Sequence, residues 1–361
     1  MKIIDRYIIR NFISTFIFIT VSIQFLSVII DVSQRMHRLE NNQGSIKEAL
    51  IDYYPFWSIW LINTFSPISV FLSVIFFTSK LTHNSEITAI LSSGISFKRL
   101  TLPYLISAIM IGSVSLIINY YFLPIANKKK NQFHYQYLLS PRYKNKYEKS
   151  QTISTQISEN EYIFIQNFSK KKNIGRECVY QKFNGKKLTY ILKSKTIFWS
   201  KKHRIYILFN YRETIIKKNH DSLNIGDYKI KKFPIIPEQF LPEEYIAETM
   251  NIHELKRFID IEGNKKNMNM YLNEYYQRTS LPFSTLIFTV LGLSISTKRK
   301  KGEIAYNMII GIVLAFFYIF FIEIAKTYSN KDFIPSYLAI WTPNVIYGII
   351  TLFFYKNRSM N

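Results

Sequence analysis

Thiol chemistry is nearly absent from this sequence. Cys178 is its one cysteine, so no intramolecular disulfide can form, and a cysteine-rich zinc site or a disulfide-stapled secreted scaffold is excluded. Nucleotide-binding signatures are missing as well. The nearest approach, Asn184-Gly-Lys-Lys187, lacks the glycine spacing and the following Ser or Thr of a phosphate loop. The six histidines are scattered without a His-Glu-x-x-His pair, and no Gly-x-Ser-x-Gly turn occurs. Any ATP hydrolysis therefore belongs to a partner, and no cofactor is called for. Acidic residues are the other shortage, with Asp and Glu numbering 24 against 47 Lys and Arg for a net charge of +23.

What the 361 residues hold in abundance is uncharged apolar chain. The mean hydropathy of +0.00 averages long apolar blocks with charges crowded between them, which excludes a single soluble domain. A helix needs about 20 residues to cross about 30 Å of hydrocarbon. Six stretches qualify: Asn11 to Ile30, Tyr53 to Ser79, Leu100 to Asn127, Thr279 to Thr297, Ile304 to Ile322 and Phe333 to Tyr355. Each is read as a transmembrane helix. The first is long for a cleaved signal and runs into Asp31-Val-Ser-Gln-Arg35 rather than a small-residue cleavage site, so it is expected to stay as an anchor.

Short-loop Lys and Arg are retained in the cytoplasm. One side collects twelve of them: Lys2, Arg6, Arg10, Lys80, Lys98, Arg99, Lys298, Arg299, Lys300, Lys301, Lys356 and Arg358. The other has five, Arg35, Arg38, Lys47, Lys326 and Lys331, with Asp31, Glu40, Glu48, Asp52 and Asp332 beside them. Both termini are thus expected in the cytoplasm, and the long segment between the third and fourth spans outside. Its lysine runs, such as Lys128-Lys129-Lys130, Lys170-Lys171-Lys172, Lys186-Lys187 and Lys231-Lys232, do not oppose this, because long domains translocate largely regardless of charge. A nucleic-acid partner is not expected, since the basic segment faces away from cytoplasmic nucleic acid and no helix-turn-helix or zinc module is visible. A solvated surface accounts for most of these lysines.

From about Gln151 to Pro237 the pattern changes to short runs rich in aromatic and β-branched residues, broken by turns. Glu161 to Phe168, Glu177 to Phe183, Leu188 to Ser200 and Arg204 to Ile216 read as strands, and Asn184-Gly185 is a hairpin signal. In the last of these runs Ile205, Ile207, Phe209 and Tyr211 form an apolar face that is read as facing a core. Successive strands without helical crossovers favour a sandwich, jelly roll or open barrel, whose interior is either filled by side chains or open as an apolar groove for an acyl chain. The chain then divides into an N-terminal membrane half over 1–127, an outer β domain over 128–270 ending in an amphipathic connecting helix, and a C-terminal membrane half over 271–361.

Two connections carry end signals. Asn251-Ile-His-Glu254 followed by Leu255, Phe258 and Ile259 predicts an amphipathic helix with a capping box, ending near Gly263. Between the second and third spans, residues 84–94 predict a short helix with an apolar stripe of Ile87, Ile90 and Leu91, Asn84 or Ser85 as N-cap, Glu86 in the first turn and Gly94 at the end. This is either a tidy linker or a coupling helix that seats in a partner's groove, with Glu86 paired to a basic side chain. At the start of the chain Ile3, Ile4, Tyr7 and Ile8 lie opposite Lys2, Arg6 and Arg10, which places the first turns in the membrane interface.

The segments Ile4-Asp-Arg-Tyr-Ile8, Ser85-Glu86 through Ser93-Gly94, Tyr271 to Leu281-Pro-Phe-Ser284 and Trp341-Thr-Pro-Asn344, in this order and with this topology, resemble the LptF/LptG permease family over essentially the whole chain. The resemblance implies an α-helical membrane protein with six transmembrane helices and a periplasmic, all-β, jelly-roll-like domain between the third and fourth. It implies the permease subunit of an ABC transporter in the inner membrane of a Gram-negative-type bacterium, outer-membrane biogenesis as its purpose, and lipopolysaccharide as its cargo. The implied partners are a paralogous LptF/LptG-type permease, an LptB-like ATPase dimer and an LptC/LptA-like periplasmic bridge. Glu86 matches the family's acidic coupling residue, and Arg35 and Arg38, before Gln43-Gly44-Ser45, resemble the basic residues placed against lipid A phosphates. Such a basic collar above an apolar cavity complements both ends of that lipid; ordinary headgroup anchoring is the plainer role for the same arginines.

Two competing classes are separable. An integral-membrane enzyme of envelope lipids should show convergent acidic or His residues at a membrane face, which this sequence lacks, and a mechanotransmission subunit should hold no lipid in its span bundle. Within the spans, Gln24 and Asn63 are read as interhelical hydrogen-bonding residues. Glu323 and Lys326, spaced i, i+3, are read as a local ion pair.

Overall fold

The computed structural model describes residues 2–140, 151–158, 160–170, 172–185, 187–216, 221–237, 245–262, 268–297 and 303–359. The expected helix end at Gly263, the basic cluster at Lys298 to Lys301, and Lys186 lie outside them. Among the described residues, six helical stretches are long and apolar enough to cross a membrane: Ile3–Asn41, Ile46–His83, Phe97–Leu138, Met268–Ser296, Ile304–Asn330 and Ser336–Arg358. The chain groups into two compact units, one of Met1–Gln34, Tyr54–Asn127 and Met250–Asn361, the other of Arg35–Tyr53 and Lys128–Thr249.

The first unit is helical. It contains most of α1 (Ile3–Asn41), α3 (Tyr54–His83), α4 (Glu86–Ser92) and α5 (Phe97–Ile117), and the later helices α8 (Ile252–Glu262), α9 (Met268–Ser296), α10 (Glu303–Asn330) and α11 (Ser336–Ser359). Its hub is α9, which packs against α3, α5, α10 and α11. Small residues make this approach close. A side chain at Gly292 would stand 3.0 Å from Val74, and one at Gly112 would stand 3.1 Å from Thr285, the small-residue contact that lets helices meet where lipid offers no hydrophobic drive. Phe288 fills the space beside the glycine, its ring 4.9 Å from Phe71, 4.8 Å from Tyr318 and 5.4 Å from Tyr347. The hydroxyls of Ser284, Thr285, Thr289 and Ser294 donate to α9's own carbonyls, so they carry no unpaired donor into hydrocarbon. The last carbonyls of α9 are satisfied from neighbouring helices: Thr82 Oγ1 donates to Ser296 at 2.9 Å and Arg358 Nη2 to Thr297 at 2.8 Å.

Helix α8 begins with the expected reciprocal cap, Asn251 N–H to Glu254 Oε2 and Glu254 N–H to Asn251 Oδ1, both at 2.9 Å. It lays Phe258 on Tyr271 of α9 at 4.5 Å. For that reason it groups with the helical unit rather than with the inserted domain, while Arg35–Tyr53 groups with the strands.

The second unit contains the inserted β domain. Strands β1 (Gln151–Ser158), β2 (Glu161–Ser169), β3 (Ile174–Asn184), β4 (Lys187–Ser200), β5 (Ile205–Ile215) and β6 (Ser222–Lys231) form one antiparallel sheet in chain order. This meander is a simpler connectivity than the paired Greek keys of a jelly roll. Asn184 and Lys187 close the expected hairpin, with Gly185 at φ +60°. The core holds Ile163, Ile165, Cys178, Leu192, Trp199, Tyr206, Leu208 and Phe233. The face of β5 is therefore the reverse of the hydropathy reading: Tyr206 and Leu208 are buried, whereas Phe209 is exposed. Both faces of β5 are apolar enough to be candidates. The choice falls to Tyr206, whose ring packs 4.5 Å from Trp199 while its hydroxyl donates to the Ile235 carbonyl at 3.0 Å. Burial pushes the Cys178 thiol up to about 12, which leaves it inert. Burial also raises the Glu213 carboxyl, but donation from Lys229 and Tyr190 outweighs it and holds the group below its ordinary range.

Candidate functional site

The residues singled out by the sequence fall in two groups, one on α4 and one on the last turns of α1. On α4, Ile87 is buried with Ile8, Phe12, Leu81 and Leu100, and Ile90 and Leu91 pack beside it. The apolar stripe is therefore spent on the chain's own α1, α3 and α5. Glu86 lies in the first turn, where its carboxylate favours the helix N-terminus. The expected cap is not formed: Ser85 holds the N-cap position in the left-handed region at φ +62°, with no side-chain capping bond. Asn84 turns instead to Glu86, its Nδ2 donating to Oε1 at 3.4 Å. Gly94, at φ +84° with nothing within 4 Å of its missing Cβ, ends the segment for backbone reasons alone.

A residue that sequence reasoning did not connect to this helix is Tyr7, whose hydroxyl donates to Glu86 Oε2 at 3.0 Å. Two residues earlier, Asp5 forms an ion pair with Arg99 at 2.7 Å. The motif Ile4-Asp-Arg-Tyr-Ile8 contains both, but partners 79 and 94 positions away leave no periodic signal.

At the far end of α1, the helix stops in a Schellman motif. Gly44 N–H donates to Leu39 and Gln43 N–H to Glu40, with Gln43 at φ +60°. A side chain at Gly44 would stand 2.7 Å from Leu39 and 2.9 Å from Tyr137, so the close turn needs glycine. The following α2 (Ile46–Glu48) opens with a capping box between Ser45 and Glu48, a signature legible in the Ser-x-x-Glu spacing. Arg35 is half-buried and turned into the protein: its Nη1 donates to His134 Nδ1 at 2.9 Å and reaches the Tyr53 hydroxyl at 3.3 Å. His134 lies in a π-helical turn, His134–Leu138, that follows α6 (Leu123–Phe133). Arg38, one turn on from Arg35, is exposed. In the same unit Lys130 of α6 pairs with Glu248 of α7 (Ile246–Thr249) at 3.3 Å.

Gln24 and Asn63, the intramembrane polar residues read from the sequence, are both engaged. Gln24 donates to Ser58 at 2.6 Å. Asn63 and Asn119 exchange amide bonds at 2.9 Å each, and Ser115 donates to the Asn63 oxygen at 3.1 Å. Beside them a cavity of about 240 Å³ lies among α1, α3 and α5, lined by Ile13, Phe16, Ile62, Met110, Ile111 and Val114 with Asn63, Ser66 and Ser115. Lys326 and Glu323 approach to 3.6 Å. Asn344, in the segment Trp341-Thr-Pro-Asn344, donates to the Ser280 carbonyl at 3.0 Å and accepts from the Tyr318 hydroxyl at 2.9 Å, fastening α9, α10 and α11 together.

The family profile described as lipopolysaccharide export system permease LptF/LptG matches residues 6–357. No curated protein matches the chain. Six apolar helices long enough to span a bilayer, an antiparallel sheet inserted between the third and fourth, and a profile match from end to end identify the chain as a member of the LptF/LptG family of lipopolysaccharide export permeases.

Proposed function

We infer that this permease works by mechanical coupling, as the membrane subunit of an ABC exporter with both termini in the cytoplasm and the sheet in the periplasm. A separate cytoplasmic ATPase pair pushes α4 through Glu86, the span bundle closes on the acyl chains of lipopolysaccharide, and the lipid passes toward a periplasmic bridge. A paralogous permease completes the bundle. The observation that carries this reading is the packing of α4. It is a seven-residue helix between two spans whose apolar side packs into the helical unit while Glu86 is half-buried and keeps part of its surface open. A push on α4 is then delivered to α1, α3 and α5 together. Arg38, exposed where α1 ends, suits a phosphate contact at the membrane surface, with Arg35 one turn before it.

The test uses the complete transporter in proteoliposomes containing lipopolysaccharide. A photo-crosslinker at Met36 should capture the lipid, and ATP should deplete that product. Arg38→Glu should remove most of the capture, since a charged donor to phosphate is typically worth about 1.5–3 kcal/mol. Glu86→Lys should leave the capture and abolish its depletion by ATP. Failure of wild-type protein to capture lipid would favour a mechanotransmission subunit that holds none.

A further inference from the structure

Two acidic side chains stand near α4, and the chain treats them differently. Asp5 is neutralised, its carboxylate joined to the Arg99 guanidinium at 2.7 Å. Glu86 is held by uncharged donors on both oxygens, the Tyr7 hydroxyl on Oε2 at 3.0 Å and the Asn84 amide on Oε1 at 3.4 Å. A carboxylate has about four acceptor positions, so these bonds fix its direction and leave both its charge and further lone pairs for an incoming cation. Tyr7 is well placed for this. Its neighbours Ile4 and Ile8 pack with Ile87, Ile90 and Leu91, which sets the first turns of α1 against α4, while the Tyr7 ring itself stays 44% exposed.

We propose that Tyr7 is a positioning residue for energy coupling: its hydroxyl aims the Glu86 carboxylate, so that a basic group of the ATPase meets a charge already oriented. This rests on the coupling role of Glu86 proposed above. Orientation before contact reduces the ordering that binding must impose, and an uncharged donor does so without cancelling the attraction, which a lysine at position 7 would do. The Ile4-Asp-Arg-Tyr-Ile8 segment thereby gains a use beyond interfacial anchoring.

The experiment is a double-mutant cycle on the full chain assembled with its paralogue in nanodiscs. It has two readouts: amide hydrogen exchange across Glu86–Ser92 without the ATPase, and affinity for the purified ATPase. Tyr7→Phe keeps the ring and its packing and removes only the hydroxyl. It should speed exchange in α4 and weaken association, each about threefold to tenfold, the range of one ordinary net hydrogen bond. In a Glu86→Ala background Tyr7→Phe should add nothing to either readout. Unchanged exchange in Tyr7→Phe, or effects that add to those of Glu86→Ala, would overturn the proposal, since packing alone would then explain Tyr7. If Glu86→Ala leaves association intact while Tyr7→Phe still loosens α4, the aiming of Glu86 by Tyr7 stands and its coupling to the ATPase falls.

Discussion

Helices α1 and α9 are both apolar spans, yet 67% of the most apolar window of α9 is buried within the chain against 6% for α1. Their sequences explain the contrast. Helix α9 alternates bulk with Ser280, Ser284, Thr285, Thr289, Gly292 and Ser294, residues small enough for other backbones to approach. Helix α1 carries Ile17, Phe18, Val21, Phe25 and Leu26, all exposed, with Ser14 and Ser22 as the small residues among them. One helix is held by protein. The other is fastened at its first turns by Asp5, Tyr7 and Ile8 and along its middle by Gln24, and it leaves a broad side to lipid or to another subunit. Apolar composition alone thus says that a helix enters the bilayer, while the distribution of small residues says whether it packs within its own chain.

The largest test of this contrast is a matched pair of truncations. Phe288→Ala removes a fully buried ring and should cost about 3 kcal/mol, whereas Phe18→Ala, 69% exposed, should stay within about 0.5 kcal/mol, both read by denaturant unfolding in micelles. Equal losses would show that α1 is as tightly packed as α9. The next is a pair of glycines with opposite expected signs. An alanine at Gly292 meets Val74 at 3.0 Å and Phe71 at 3.3 Å and should cost about 1–3 kcal/mol. An alanine at Gly348 meets nothing within 4 Å and should gain about 0.5–1 kcal/mol through helix propensity, visible as a rise in melting temperature. The smallest effects concern interhelical polar bonds. Asn344→Leu should cost about 1.5 kcal/mol because Ser280 and Tyr318 lose a shared partner, and Gln24→Leu about 0.5 kcal/mol. A larger cost for Gln24→Leu than for Asn344→Leu would mean that α1's bond to Ser58, not its first turns, secures it to the unit.

The spans were legible because a run without charge has few other homes, and each of the six uncharged stretches overlaps one apolar helix, although Thr297 lies just past the fourth and Phe333 lies before the start of the sixth at Ser336. The α8 cap was legible because both partners lie within one turn. Readings failed where one local pattern admitted two outcomes. Ile207 and Phe209 are as apolar as Tyr206 and Leu208, and only Trp199 and the Ile235 carbonyl, from outside β5, decide which side is buried. The start of α4 failed in a similar way: Asn84 and Ser85 are both good caps, but Ser85 takes the N-cap position in the left-handed region, where its side chain makes no capping bond. The candidate site was legible as a list of side chains and not as a set of contacts. The partners of Glu86 and Arg35 sit 79 and 99 positions away, Tyr7 and His134, and no motif spacing encodes such pairs.

The meander has a consequence for how the chain is made. Each strand pairs with the strand just before it, so the sheet has low contact order and its hairpins can close within about microseconds of emerging. The hub of the helical unit comes much later: Ser296 of α9 must find Thr82, separated from it by 214 positions. At about 5–20 residues per second of synthesis, the stretch from Lys231 to Ser296 takes several seconds. During that interval the strands are complete while α3 and α5 wait without α9. Nascent chains arrested before Met268 should therefore carry a finished sheet on an unfinished bundle, and membrane quality-control proteases would meet the exposed small-residue face of Gly112 before the hub arrives to cover it.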